Sequence, residues 1–206
     1  MAACFFYNCE ASLVKADFLE TARYLGYTKN AHPDEVTEEL VKKCISRMHQ
    51  ILTPKLVYSI YDLQVDGDKI SFAGEKIISR NLSRNLSGCS KILLFAATIG
   101  PKVDLLIRKA QVTDTVASGI YQSVGAMFIE SFVDDFNKHI KQIMSEDGRI
   151  IKPRYSPGFG DVDLSCQKVF FKLLECNKIG LTLMDSLIMA PEKSVTAFIG
   201  IGEKNE

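Results

Sequence analysis

Val116, Ile120, Val124, Phe128, Phe132, Phe136 and Ile140 stand four residues apart along one uninterrupted stretch. Positions i and i+4 fall on one side of a helix. The stretch from Thr113 to about Met144 is therefore expected as one long helix with a continuous apolar stripe. Such a stripe must be covered. Lys91–Thr98 (KILLFAAT) supplies apolar surface that does not alternate with polar residues, and it reads as a buried strand. It runs into Gly100-Pro101, where Pro101 opens another helix with Val103, Leu106 and Ile107 as its apolar side.

Around these two anchors the pattern is mixed. Lys15–Leu25 reads as a short helix stopped by Gly26. Pro33 is placed at the first helical position of a second helix, whose acidic first turns (Asp34, Glu35, Glu38, Glu39) precede Val41, Ile45, Met48 and Leu52. Lys55–Leu63 reads as a strand, Asp66-Gly67 as a hairpin turn and Lys69–Phe72 as the return strand. Ser79-Arg80-Asn81-Leu82 repeats as Ser83-Arg84-Asn85-Leu86, a period that stacks Ile78, Leu82 and Leu86 on one side of a helix ended by Gly88. Glu146–Asp163 is rich in glycine and proline. A helix over Leu164–Cys176 follows, then strands over Gly180–Leu183 and Ser194–Ile201. Long helices, non-alternating strands and one hairpin give an α+β class, with a single domain over 1–206: a helical N-terminal lobe over 1–53, then sheet and groove over 54–206.

Composition excludes several classes. The 206 residues are 47% hydrophobic and 24% charged, which argues against disorder. Twenty-five Lys and Arg balance 25 Asp and Glu, so no global basic footprint marks a nucleic-acid partner. No apolar run approaches the roughly 18 residues of a membrane helix, and no basic residue precedes the apolar patch near the N-terminus. A cytoplasmic protein with no membrane partner is expected. Cys4, Cys9, Cys44, Cys89, Cys166 and Cys176 are scattered without a C-x-x-C, beside three histidines, so reduced thiols rather than a metal site are expected.

Catalytic motifs are missing. There is no Walker A and no G-x-G-x-x-G after a strand, and Ser165-Cys166-Gln167-Lys168 matches S-x-x-K without its companion motifs. Thr98-Ile99-Gly100-Pro101 is either an anion-receiving turn or an ordinary helix start. Arg80 and Arg84 form either a phosphate-binding pair or a solvated face. Two places carry more. Arg154-Tyr155-Ser156-Pro157-Gly158-Phe159-Gly160-Asp161 joins a planar cationic fork, two aromatic faces and a permissive backbone. It reads as a loop for a small zwitterion or as a plain surface loop. Glu130 lies in an apolar run below Gly119, Ser123 and Ala126, at the end of a small-residue helix face. It reads as a ligand carboxylate or as an acid at a helix border.

RYSPGFGD and the helix around Gln167 resemble the ligand loop of the activation domain of cobalamin-dependent methionine synthase, Arg-x-x-x-Gly-Tyr-x-Ala-Cys-Pro. IGLTLMDSLIMAPEKSVTAFIGIG resembles that family's Gly-x-x-Leu-Thr-Glu-Ser-x-x-Met-x-Pro-x-x-Ser-Val. KILLFAATIGPKVD and the long helix resemble its stand-alone members. The resemblance runs from about residue 15 to 202. It implies a twisted antiparallel sheet and S-adenosylmethionine held extended along a shallow groove. It also implies reductive remethylation of cobalamin, with the cobalamin carried by a partner methionine synthase subunit or other corrinoid protein and the electron by a flavodoxin-type donor. By this likeness Arg154 pairs with the ligand's carboxylate, Gly158 is the motif glycine, Phe159 stands in place of tyrosine, and Glu130 helps to hold the amino group. Asp161 and Asp163 stand at the alanine and proline positions, and Asp185 at the glutamate. No catalytic side chain is implied. Three roles follow: an S-adenosylmethionine-binding activation protein, a non-catalytic scaffold of a corrinoid protein that has lost the ligand, or a methyltransferase on another substrate, for which no general base stands out.

Overall fold

A computed structural model describes residues 3–28 and 31–203. The chain runs β1 (Phe5–Asn8), α1 (Phe18–Tyr24), α2 (Glu35–His49), β2 (Lys55–Asp62), β3 (Gln64–Asp66), β4 (Lys69–Phe72), β5 (Glu75–Ile78), α3 (Arg80–Asn85), β6 (Cys89–Thr98), α4 (Pro101–Thr113), α5 (Thr115–Glu146), β7 (Arg149–Ile151), α6 (Gln167–Leu173), β8 (Thr182–Leu183), β9 (Met189–Ala190) and β10 (Ser194–Glu203). The main sheet is antiparallel throughout, in the order β1-β2-β6-β10-β7.

The sheet explains the composition of β6. From Ile92 to Thr98 every residue is buried, because both faces of the strand are covered. Leu93, Phe95 and Ala97 face α2, α4 and α5. Ile92, Leu94 and Ala96 face α3, α6 and the small sheet β3-β4-β5. The long helix α5 has 32 residues. Ile120, Val124, Phe128, Phe132, Phe136 and Ile140 are all buried, whereas Val116 is 67% exposed, ahead of the point where the helix meets the core.

Several local expectations are corrected. Pro33 precedes α2 rather than starting it; the cap is Asp34, whose carboxylate accepts from the Thr37 amide at 2.8 Å. Ile78 ends β5 and is 80% exposed, so only Leu82 and Leu86 of the expected stack enter the core. The segment 1–53 is not helical throughout: β1 pairs with β2 and forms one edge of the main sheet. Tyr7 of β1 also donates to Asp135 of α5 at 2.9 Å, and burial with this bond pushes its phenol up to about 12.

Candidate functional site

The breaker-rich stretch begins as an irregular continuation of the sheet edge. After β7, Lys152 donates its amide to Gly200, and Tyr155 exchanges two backbone bonds of 2.9 Å with Phe198 of β10. The chain then turns tightly: Phe159 donates to Ser156, Val162 to Phe159 and Gly158 to Val162. Glycine is required twice. Gly158 has φ 83 and Gly160 φ 57, and a Cβ on Gly160 would collide with the Tyr155 hydroxyl and the Asn81 amide. Val162 is the buried plug of this turn.

The four-residue repeat has its physical reason here. Ser79 caps α3, and Leu82 and Leu86 anchor it in the core. Asn85 donates to the Pro153 carbonyl at 3.3 Å, while Asn81 lies under Gly160. Asp161 then closes the contact: its carboxylate accepts from the Ser79 hydroxyl, from the Arg80 amide at 2.8 Å and from the Asn81 amide at 3.3 Å. The Ser79 hydroxyl first, and then these amides, hold the Asp161 carboxyl below the usual carboxylate range. A depressed pKa contributes stability that is present above the ordinary value of roughly 3.9 and is lost as pH falls through the folded value. A carbon-13 carboxyl titration of Asp161 is expected to show a midpoint below that ordinary value. A midpoint at or above it would contradict the capping role. Asp163 accepts from the Ser165 amide and caps the single 3-10 turn before α6.

With the loop thus fastened to α3 and β10, Arg154 reaches α5. Its Nη2 donates to Glu130 Oε2 at 3.1 Å and lies 2.9 Å from Asp134 Oδ1. Its Nη1 is buried and has no hydrogen-bond partner among the described residues. The side chains of Arg154, Glu130 and Asp134 are 23%, 41% and 58% exposed. The two sequence candidates Arg154 and Glu130 are therefore in direct contact. Phe159, in the same loop, is 67% exposed and meets Tyr155 edge-on at 5.4 Å. The expected small face of α5 is only partly used: Gly119 has open space around it, whereas the close approach occurs at Gly125, covered by the Lys193 side chain.

Two residues beside Glu130 were not anticipated. Asp134 lies one helical turn further along α5, and only the i,i+4 spacing could have pointed to it. Tyr24, at the end of α1, has its phenol pKa raised by burial and then by the Glu130 and Glu20 charges. Glu130 and Asp134 also line a cavity of about 470 Å³, together with Lys15, Asp17 and Glu20; Arg154 does not line it. The other sequence candidates resolve simply. The Gly100 amide donates to the Thr98 hydroxyl at 3.1 Å within an ordinary helix start. Arg80 and Arg84 are exposed. His49 contacts the Val14 carbonyl at 3.0 Å and stacks on Phe128, and His139 packs beside Tyr7. All six cysteines are free thiols.

These features define an antiparallel sheet covered on both faces, with a glycine-rich loop fastened along one edge and held to a long helix through an arginine. The fold is that of the MetH reactivation domain: a crystal structure of that domain bound to AdoHcy superposes with a TM-score of 0.73 at 14% identity, over 100% of this chain and 80% of that one. No protein-family model and no curated protein matches the sequence. The expectation of an α+β fold with a twisted antiparallel sheet is met, and no helix among the described residues is long and apolar enough to cross a membrane.

Proposed function

We propose that this chain binds S-adenosylmethionine and serves as an activation protein for the reductive remethylation of cobalamin on a corrinoid-carrying partner. The observation that carries the reading is the Arg154–Glu130 contact. The two residues singled out for opposite ends of a zwitterion sit on α5 and on the loop after β7, and they meet at one point on a fold shared with a domain that binds AdoHcy.

The residues fit an amino acid moiety. Arg154 offers a buried and unpartnered Nη1 beside an occupied Nη2, so its planar fork has capacity for a carboxylate. Glu130 and Asp134 are acceptors for an ammonium group. Entry of the zwitterion exchanges the Arg154–Glu130 ion pair for two intermolecular ones, at the expense of the Arg154–Asp134 contact. Phe159 presents an open aromatic face to a ring or a cation, without the hydroxyl of a tyrosine. When bound, S-adenosylmethionine supplies an electrophilic methyl group on sulfur. The chain's own contribution is orientation and charge compensation, and no side chain need act as acid or base. The cobalamin is assigned to the partner, a methionine synthase subunit or other corrinoid protein, and the electron to a flavodoxin-type donor.

The scaffold reading draws its support from the acidic loop residues and from Phe159. Asp161 and Asp163 are spent on local caps, so their charges do not argue against ligand binding. A thermal-shift titration separates the two roles. A ligand that binds only the folded state at a hundredfold its Kd stabilises by about 2.7 kcal/mol. For a chain of this size that is a rise in Tm of roughly 5–10 °C. S-Adenosylmethionine is expected to produce it. An unchanged Tm up to millimolar ligand would leave the scaffold reading standing.

A further inference from the structure

We infer that Asp134 makes this site select the cationic sulfonium ligand over its neutral thioether product; the inference rests on the S-adenosylmethionine reading. In the free chain a single guanidinium nitrogen serves two carboxylates, Glu130 at 3.1 Å and Asp134 at 2.9 Å. The three side chains together carry one net negative charge.

A bound amino acid moiety brings a carboxylate and an ammonium. The carboxylate competes for Arg154, and the ammonium replaces it at Glu130. Asp134 is then the group released. Water solvates part of this charge, since the side chain is 58% exposed, but the surroundings do not neutralise it. On the cavity side Asp17, Glu20 and Asp135 face Lys15 and Lys138, and Arg23 is already bound to Glu20 at 2.5 Å. The field there adds no positive surplus.

The two related ligands differ in what they bring. S-Adenosylmethionine has a second positive charge, the sulfonium, close to its amino acid end. It leaves the site neutral. S-Adenosylhomocysteine has lost that charge with the methyl group and leaves Asp134 uncompensated. An asymmetry of this kind admits the methyl donor and releases the spent product. Glu130 does not discriminate, because it serves the ammonium that both ligands share.

Calorimetric titration of the whole chain with each ligand tests this. The wild-type protein is expected to hold S-adenosylmethionine about three- to tenfold more tightly than S-adenosylhomocysteine, the scale of a partly solvated charge pair. Asp134→Asn should bring the ratio close to one, chiefly by tightening S-adenosylhomocysteine, which then no longer strands a carboxylate. Asp134→Glu should keep the preference, and Glu130→Gln should weaken both ligands together. Equal wild-type affinities, or a ratio that survives Asp134→Asn, would overturn the inference while leaving S-adenosylmethionine binding intact. Binding of neither ligand would overturn the underlying reading, and this inference with it.

Discussion

Phe136→Ala is expected to cost about 3–5 kcal/mol and to lower Tm by on the order of 10 °C. Phe136 is fully buried. Its ring meets Tyr7 of β1 at 5.4 Å, Tyr58 of β2 at 5.2 Å and Phe95 of β6 at 5.4 Å. It thus joins α5 to three neighbouring strands of the main sheet at once. Truncation removes transfer energy and leaves a cavity that flat aromatic neighbours and a sheet cannot collapse to fill. Val112→Ala, at a residue 89% exposed on α4, should change stability by less than about 0.5 kcal/mol. Denaturant unfolding of the two variants side by side measures the difference. A Phe136→Ala loss as small as that of Val112→Ala would mean that α5 does not pack on the sheet in this way.

The second large effect falls on the ligand rather than on the fold. Arg154→Ala should weaken S-adenosylmethionine binding by on the order of tenfold to a hundredfold, as expected for a charge-assisted bond of roughly 1.5–3 kcal/mol. The same change should cost less than about 1 kcal/mol of stability, because Glu130 and Asp134 are sufficiently exposed to be solvated once the guanidinium is gone. The loop itself is held by other bonds, the Tyr155–Phe198 pair and the Asp161 cap, neither of which involves the Arg154 side chain. Parallel calorimetry and thermal unfolding read the two quantities. A variant with normal affinity would remove Arg154 from the site, and one with a large loss of stability would make the ion pair structural.

The residues that were legible in the sequence are those where one physical requirement acts alone. The apolar residues spaced by four along α5 admit only a helix lying on a broad core. Strand β6 reads as buried because no polar residue interrupts it. The Arg154 loop stands out because glycine, proline and an arginine occur together. What escaped depends on partners distant in sequence. Strand β1 is four residues long, and its pairing is decided by β2, some fifty residues away. Strand β7 lies within a breaker-rich stretch and is formed by the edge of β10. Asp134 belongs to an Asp134-Asp135 pair of the kind that marks a solvated helix face. In the structure one carboxylate goes to Arg154 and the other to Tyr7, so the helix turns the pair in two directions. The choice between Gly119 and Gly125 as the point of close approach was likewise made by Lys193, a residue no periodicity on α5 reveals.

The four-residue repeat is a case between these. Its period located α3 and two of its core residues, yet the role of Asn81 and Asn85 depends on a loop seventy residues further along. The acidic residues at 161 and 163 carry the same lesson. On sequence they add charge to a ligand loop, whereas in the fold they cap two helical starts.

The position of bound S-adenosylmethionine tests the Arg154 site most directly. A crystal structure of the chain with the ligand bound is expected to show its carboxylate within about 3 Å of the Arg154 guanidinium, the distance of a charge-assisted hydrogen bond. Its ammonium should lie at the same range from Glu130, with the Arg154–Asp134 contact opened. Ligand found elsewhere on the molecule, with the Arg154–Glu130–Asp134 contacts unchanged, would contradict it.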